Sequence, residues 1–255
     1  MHPEDVVLSS GGARGILALG AASELLKAKV FDRVRSFCGC SIGAVIAAGL
    51  VLGRTPRSML EVAIKYPLEA DIAPSNYGLD SGKGLAKWIR RMLGLKQPTT
   101  LGDVFQNHRV RLVICVCNVT DRVAEYWSHE THPDMDLVYA LRVSCSVPLV
   151  FAAVERNGKM YVDGAVADAL PIARPERTLA IAFASPKPKP IDTIESFVRA
   201  LRGVPSSCFA KKPRFSVDVD PGDVDPLDFT LDPDRMRAAY TSGRRQAAKW
   251  LKKNV

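Results

Sequence analysis

Two strand–turn–helix units follow one another at the start of this chain, and no other feature narrows its fold as much. Val6-Val7-Leu8 is a short apolar run that stops at Ser9-Ser10-Gly11-Gly12, after which Ile16, Leu17, Leu19, Ala22, Leu25 and Leu26 recur at helical spacing. Val34 to Cys38 then reads as a second strand, Gly39 to Gly43 as a turn, and Ala44 to Leu52 as a buried helix that stops at Gly53. Consecutive units of this kind predict a parallel sheet, because a strand that returns parallel to its neighbour needs a helical crossover. With 255 residues, 47% of them apolar, the chain can bury one sizeable core.

Further along, Pro56 starts a helix to about Lys65, and Tyr66 to Asp80 has little periodicity. Pro67, Pro74, Asn76 and Gly78 mark that stretch as irregular, suited to part of a cap over a site. Ser81 to Leu93 reads as a helix, Val110 to Val116 and Val123 to Trp127 as strands joined by the turn Asn118 to Arg122, and Asp136 to Cys145 as a helix. Val150 to Val154 and Lys159 to Val162 bracket Arg156-Asn157-Gly158 as a hairpin that runs into Asp163, and Leu179 to Ala184 is a further buried strand. Ser185 to Pro190 alternates proline with lysine like an extended connector, Asp218 to Asp228 reads as an acidic loop, and Asp232 to Lys253 as a last helix with basic residues crowding its C-terminal half.

Composition removes several classes. The six cysteines fall mostly inside apolar runs of a chain too long for a disulfide scaffold, so a reducing, cytoplasmic setting is expected. Cys38-x-Cys40 and Cys115-x-Cys117 lack the usual spacing of zinc ligands, and no metal or cofactor is expected. The acidic start Met1-His2-Pro3-Glu4-Asp5 does not read as a signal peptide. Ser36 to Gly53 carries no charge, but Gly39, Ser41 and Gly43 suit a strand–turn–helix better than a membrane span. The net charge of +8 favours anionic surfaces, and with no zinc-finger, RRM or homeodomain pattern beside it, nucleic acid is not the expected partner.

Gly39-Cys40-Ser41-Ile42-Gly43 is a G-x-S-x-G string between a strand and a helix, where Gly39 and Gly43 allow the strained turn that lifts a serine hydroxyl clear of the backbone. A serine nucleophile needs a base. The histidines at 2, 108, 129 and 132 all precede the late position a hydrolase triad would use, and 108, 129 and 132 lie in polar loops or turns without a motif. Asp163 is the remaining candidate, because it ends a strand and Gly164-Ala165 lets the backbone turn around it, although Asp-Gly is also an ordinary turn. An exposed aspartate is too weak a base for this task, so burial beside Val162, Ala165 and Val166 is required. The loop Ser10-Gly11-Gly12-Ala13-Arg14-Gly15 lets successive amides converge on one oxygen at a helix start, as an oxyanion hole does. The same glycines suit a phosphate cradle, but no Walker lysine follows.

Taken in order, the glycine loop with Arg14, the G-x-S-x-G string and Asp163-Gly164-Ala165 resemble the patatin-like phospholipase family. Ser144-Cys145-Ser146-Val147-Pro148-Leu149-Val150-Phe151 is similar to the family's serine-rich segment ahead of the catalytic aspartate. The resemblance covers about residues 5–184, with 185–255 as a C-terminal extension packed on the same domain. It implies an α/β fold, a three-layer α/β/α sandwich around a mainly parallel sheet. It also implies a Ser41–Asp163 dyad without histidine or calcium, and an oxyanion hole from the amides of Gly11, Gly12, Ala13 and Arg14. Ser10 replaces the family's usual first glycine, and Asp168-Ala169 stands where asparagines are common. The expected activity is hydrolysis of phospholipid or other lipid acyl esters, with an anionic membrane surface as a possible peripheral partner. Acyl transfer, a neutral-lipid esterase and a non-catalytic membrane adaptor that docks through Arg244, Arg245, Lys249, Lys252 and Lys253 around Trp250 stay open.

Overall fold

The apolar run near the start becomes β1 (Asp5–Leu8), buried along its whole length as expected of a parallel strand covered on both faces. In the computed structural model, which describes residues 2–184 and 212–254, α1 (Gly15–Lys27), β2 (Ser36–Cys40) and α2 (Ile42–Val51) follow. The uncharged stretch from Ser36 thus divides at Ser41 into a strand and a helix, and α2 is buried at nearly every position. No helix among the described residues is long and apolar enough to cross a membrane. Next comes α3 (Pro56–Lys65), capped by the Thr55 side chain with Pro56 in its first turn.

Tyr66 to Asp80 is more ordered than its composition suggests. It holds β3 (Ile72–Ser75) and β4 (Gly78–Asp80), an antiparallel pair turning at Asn76-Tyr77, where both φ angles are positive (39° and 64°). That is the signature of a primed two-residue turn. Then come α4 (Lys83–Leu93) and α5 (Leu101–His108), the latter started by a capping box between Thr100 and Asp103. α5 also moves His108 from the expected loop into the last turn of a helix.

The remaining described elements are β5 (Arg111–Asn118), β6 (Val123–Trp127), α6 (Leu137–Ser144), β7 (Leu149–Phe151), β8 (Val154–Arg156), β9 (Lys159–Asp163), β10 (Thr178–Phe183), β11 (Phe215–Val219) and α7 (Pro233–Asn254). Two expectations are corrected here. Val150 to Val154 is not one hairpin arm: the Ala152 and Ala153 amides donate to Asp80 O and Asn76 O, which draws β7 onto β4 and leaves only β8 to pair with β9. Asp218 lies in β11 rather than in a loop, with Val217 and Val219 buried on either side of it in the alternation of a strand. The proline–lysine connector at 185–190 lies outside the described residues.

Eight strands form the main sheet, in the order β11-β10-β1-β2-β5-β9-β8 with β6 on β5, and the pairs from β11 to β5 are all parallel. With helices flanking this sheet the architecture is the α/β/α sandwich expected. β11 and α7 extend the same sheet and core. Ala239, Tyr240, Gly243 and Ala247 of α7 are buried, and a Cβ on Gly243 would stand 2.0 Å from Leu17 O of α1, so the two backbones touch. The functional consequence of the topology lies on β5. Its residues 114–118 pair with β6 on one edge, so β2 (on 111–115) and β9 (on 116–118) share the other, end to end. Cys40 sits opposite Cys115 and Asp163 opposite Val116, which brings the end of β9 beside the residue that follows β2.

Candidate active site

That residue is Ser41. It occupies the sharp turn between β2 and α2 at φ 55° and ψ −129°, a left-handed backbone that a non-glycine residue adopts only when its surroundings hold it there. The flanking glycines make the turn possible through close approach. A Cβ on Gly39 would lie 2.5 Å from Ala44 N, and one on Gly43 2.4 Å from Leu8 O. The start of α2 therefore packs directly against the end of β1, and any side chain at Gly43 would lift the nucleophile turn away from the sheet.

Ser41 Oγ donates to Asp163 Oδ2 at 2.6 Å, and both residues are buried. The other carboxylate oxygen, Oδ1, accepts from the Ala165 amide at 2.9 Å and has Cys40 Sγ at 4.0 Å. Burial pushes the Asp163 carboxyl up to about 6, against the opposing pull of the hydrogen bonds from Ser41 and Ala165. Of the apolar neighbours expected at this position Val162 is buried and Ala165 partly so, whereas Val166 is 51% exposed, so the burial of the carboxyl comes mainly from elsewhere in the sheet.

Both members of the pair are braced by one short stretch of chain. Ser144 Oγ accepts from the Ser41 amide at 2.9 Å and donates to Cys115 O at 2.7 Å. The Ser146 carbonyl accepts from the Asp163 amide at 2.9 Å. Arg142 anchors that stretch, donating to Ser146 Oγ, to Ala152 O at 2.8 Å and to Ser81 O at 3.1 Å. The serine-rich segment is visible in the sequence, but the tasks of Ser144 and Arg142 are not, because their partners Cys115 O, Ala152 O and Ser81 O are backbone atoms brought near only by the fold. Asp168, the departure from the usual asparagine, accepts from the Tyr126 hydroxyl at 2.8 Å and from the Leu170 amide at 3.2 Å, so its loop is held.

The glycine loop lies beside α2, as its position between β1 and α1 requires. Within it the Ala13 amide donates to Pro226 O at 2.9 Å and the Arg14 amide to Gly11 O at 3.1 Å, while Arg14 Nε donates to Val224 O at 2.8 Å. The segment that ends at α7 therefore rests on this loop. Beside Ser41 opens a cavity of about 90 Å³ walled by Gly12, Ile42, Leu85, Trp88, Phe151 and Phe229. That is well below the roughly 300–1,000 Å³ of a pocket enclosing a whole ligand, so it admits only part of a long apolar substrate.

None of the histidines hydrogen-bonds to Ser41 or Asp163 among the described residues; His129 stacks on Phe105 and His132 meets Thr131. Cys38, Cys40, Cys117 and Cys145 have their thiols pushed up by burial, which keeps them protonated and unreactive. No cluster of three or more potential metal ligands occurs among the described residues.

A family model described as patatin-like phospholipase matches residues 6–174. The chain belongs to the patatin-like phospholipase family. The relatives agree with that membership. The chain is 28% identical over 179 residues to a protein of Invertebrate iridescent virus 6 named "Probable lipid hydrolase 463L", a match covering 66% of this chain and 61% of the viral one. It is 30% identical over 180 residues to human patatin-like phospholipase domain-containing protein 4, covering 67% of each. The match thus spans less than two thirds of the viral relative's length. Among solved structures, VipD from Legionella pneumophila shares the fold at a TM-score of 0.65 with 16% identity, over 98% of this chain and 67% of that one.

Proposed function

We propose that this patatin-like chain hydrolyses acyl esters of lipids, phospholipids foremost, through an acyl-serine intermediate with Ser41 as nucleophile and Asp163 as its base. The 2.6 Å hydrogen bond from Ser41 Oγ to a buried, proton-affine Asp163 carries the reading, because a nucleophile and a base need that contact and little else accounts for both being buried together.

In the first step Asp163 takes the Ser41 proton as Oγ attacks the ester carbonyl, and the resulting oxyanion is received by backbone amides at the start of α1. Gly12, which walls the Ser41 cavity, and its neighbour Gly11 are the donors assigned to this task, since the Ala13 and Arg14 amides are already engaged within the chain. Collapse of the tetrahedral intermediate breaks the ester C–O bond, and the Asp163 acid returns its proton to the leaving alkoxide. Water, deprotonated by the same carboxylate, then attacks the acyl-serine; the fatty acid leaves and Ser41 recovers its proton. The apolar wall of Leu85, Trp88 and Phe151 supports an acyl chain as the group held beside Ser41. The free cysteines among the described residues, all but Cys38 of them buried, support a reducing compartment.

Turnover of a fluorescent phospholipid by wild type, set beside Ser41→Ala and Asp163→Asn, tests the reading. Loss in both variants, with folded protein confirmed by circular dichroism, is expected; full turnover by Ser41→Ala would remove it.

A further inference from the structure

The ribbon formed by β3, β4 and β7 breaks the pattern of the rest of the surface. Its stretches Ile72 to Leu79 and Val147 to Val154 carry no charged residue. Large apolar side chains point outward from it: Ile72 is 71% exposed, Tyr77 81%, Leu79 62% and Leu149 67%. Tyr77 and Leu149 moreover hold left-handed backbones, at φ 64° and 68°, where glycine or asparagine is the ordinary choice. A bulky apolar residue that is both strained and exposed gains nothing for the fold itself.

We infer that this ribbon is the surface by which the protein docks onto a lipid bilayer, inserting Tyr77, Leu79 and Leu149 among the headgroups and upper acyl chains. The inference rests on the lipid-hydrolase reading and names where that substrate is met. Continuity with the cavity favours a bilayer over a protein. Leu149 lies between Val147 and Phe151 in the chain, and both of those wall the Ser41 cavity, so the ribbon's edge and the cavity wall are built from one short stretch. Three strands at their usual spacing are about 10 Å wide, and four such side chains offer on the order of 500 Å². That falls short of the roughly 800 Å² each partner commits to a stable protein interface, whereas shallow insertion of an aromatic and two aliphatic residues suffices for peripheral binding. The open groove along Ala73 to Asn76 carries Lys83 and Glu155, both exposed and of opposite charge, so the ribbon's case rests on its apolar side chains.

The basic C-terminal helix is the weaker surface for this task. α7 buries its small and aromatic residues on α1, Trp250 packs against the core, and Arg244 is paired with Glu24, so what α7 presents is charge without an apolar wedge.

The test combines Tyr77→Gly with Leu79→Ser and reads three quantities on the full chain. Partition onto phosphatidylcholine vesicles containing a minor fraction of phosphatidylglycerol is expected to fall tenfold or more. Labelling by a small soluble fluorophosphonate is expected to stay at the wild-type level. The melting temperature of Tyr77→Gly alone is expected to hold or rise, since Asn-Gly is the preferred residue pair for this turn. A control pair at another exposed apolar site, Val119→Ser in the β5–β6 turn with Val123→Ser at the start of β6, leaves partition unchanged. Equal vesicle binding by the ribbon variant and wild type overturns the inference, as does a change in oligomeric state without a change in vesicle binding. Wild type that binds vesicles through the ribbon but labels nowhere would sustain the surface and remove the catalytic reading instead.

Discussion

Within eight residues of chain, Ser144 to Phe151, the molecule passes between two opposite kinds of construction. At one end Ser144 and Ser146 are buried and bonded to the backbones of Ser41 and Asp163; at the other, Leu149 stands exposed in a strained backbone, beside the equally exposed Leu79 and Tyr77. The first region satisfies polar groups inside the protein, and the second leaves apolar groups in water. Under the proposed function the difference follows from what each must do. Proton transfer from a serine to a carboxylate needs fixed geometry in a dry setting, where a hydrogen-bonded pair is strong and misplacement is costly. Meeting an insoluble substrate needs surface that water does not favour.

The comparison breaks first at the floor of the cavity. Ser41→Ala removes the proposed nucleophile, and lipid turnover is expected to fall by about 10⁴-fold or more, read as kcat in a continuous fatty-acid release assay. If turnover survives, the buried pair is structural and the contrast loses its meaning.

Asp163→Asn sharpens it from the side of stability. The carboxyl is raised from 3.8 to about 6 by burial, so at neutral pH the folded state holds a charge that the unfolded chain accommodates more easily. The sign follows: wild type is relieved of this cost below about pH 4 and bears it in full above about pH 6, where it amounts to about 3 kcal/mol. Asp163→Asn is therefore expected to abolish turnover while raising the unfolding free energy at pH 8 and leaving it near wild type at pH 4, measured by urea denaturation. A destabilised variant at both pH values would show that the carboxylate holds the fold together.

Ser144→Ala strips the acceptor from the Ser41 amide and the donor from Cys115 O. A stability loss of about 1–3 kcal/mol is expected, with kcat reduced roughly 10- to 100-fold and KM little changed, because the nucleophile is mispositioned while the cavity wall is intact. A KM effect without a kcat effect would move Ser144 out of the positioning role. The smallest expected effect is titrational: kcat/KM on a soluble ester rises through about pH 6 as Asp163 ionises, and a profile flat from pH 5 to 8 would count against it as the base.

Much of the floor could be read from the sequence, and little of the rim. Val6 to Leu8 in β1 and Leu112 to Cys117 in β5 are unbroken apolar runs, and glycines on both sides of Ser41 stand where only glycine fits, so the local pattern and the tertiary demand coincide. The ribbon was hidden because Pro74, Ser75 and Asn76 carry turn chemistry and β3 shows no alternation of burial, being exposed throughout. β7 was absorbed into a longer strand because Val150 to Val154 is continuous in hydrophobicity; only the Ala152 and Ala153 hydrogen bonds to the hairpin show where it divides. β11 was masked by Asp218, whose charge reads as loop until its neighbours are seen to be buried. The pairing of Ser41 with Asp163 was legible as chemistry, but their contact depends on β2 and β9 sharing an edge of β5, a long-range register that no local pattern encodes.

The account stands or falls on a covalent adduct. Wild-type protein treated with a fluorophosphonate and digested for mass spectrometry is predicted to carry one phosphonyl group, on the peptide containing Ser41, absent from Ser41→Ala and formed far more slowly in Asp163→Asn. An adduct mapped to any other residue, or labelling of Asp163→Asn at the wild-type rate, would contradict it.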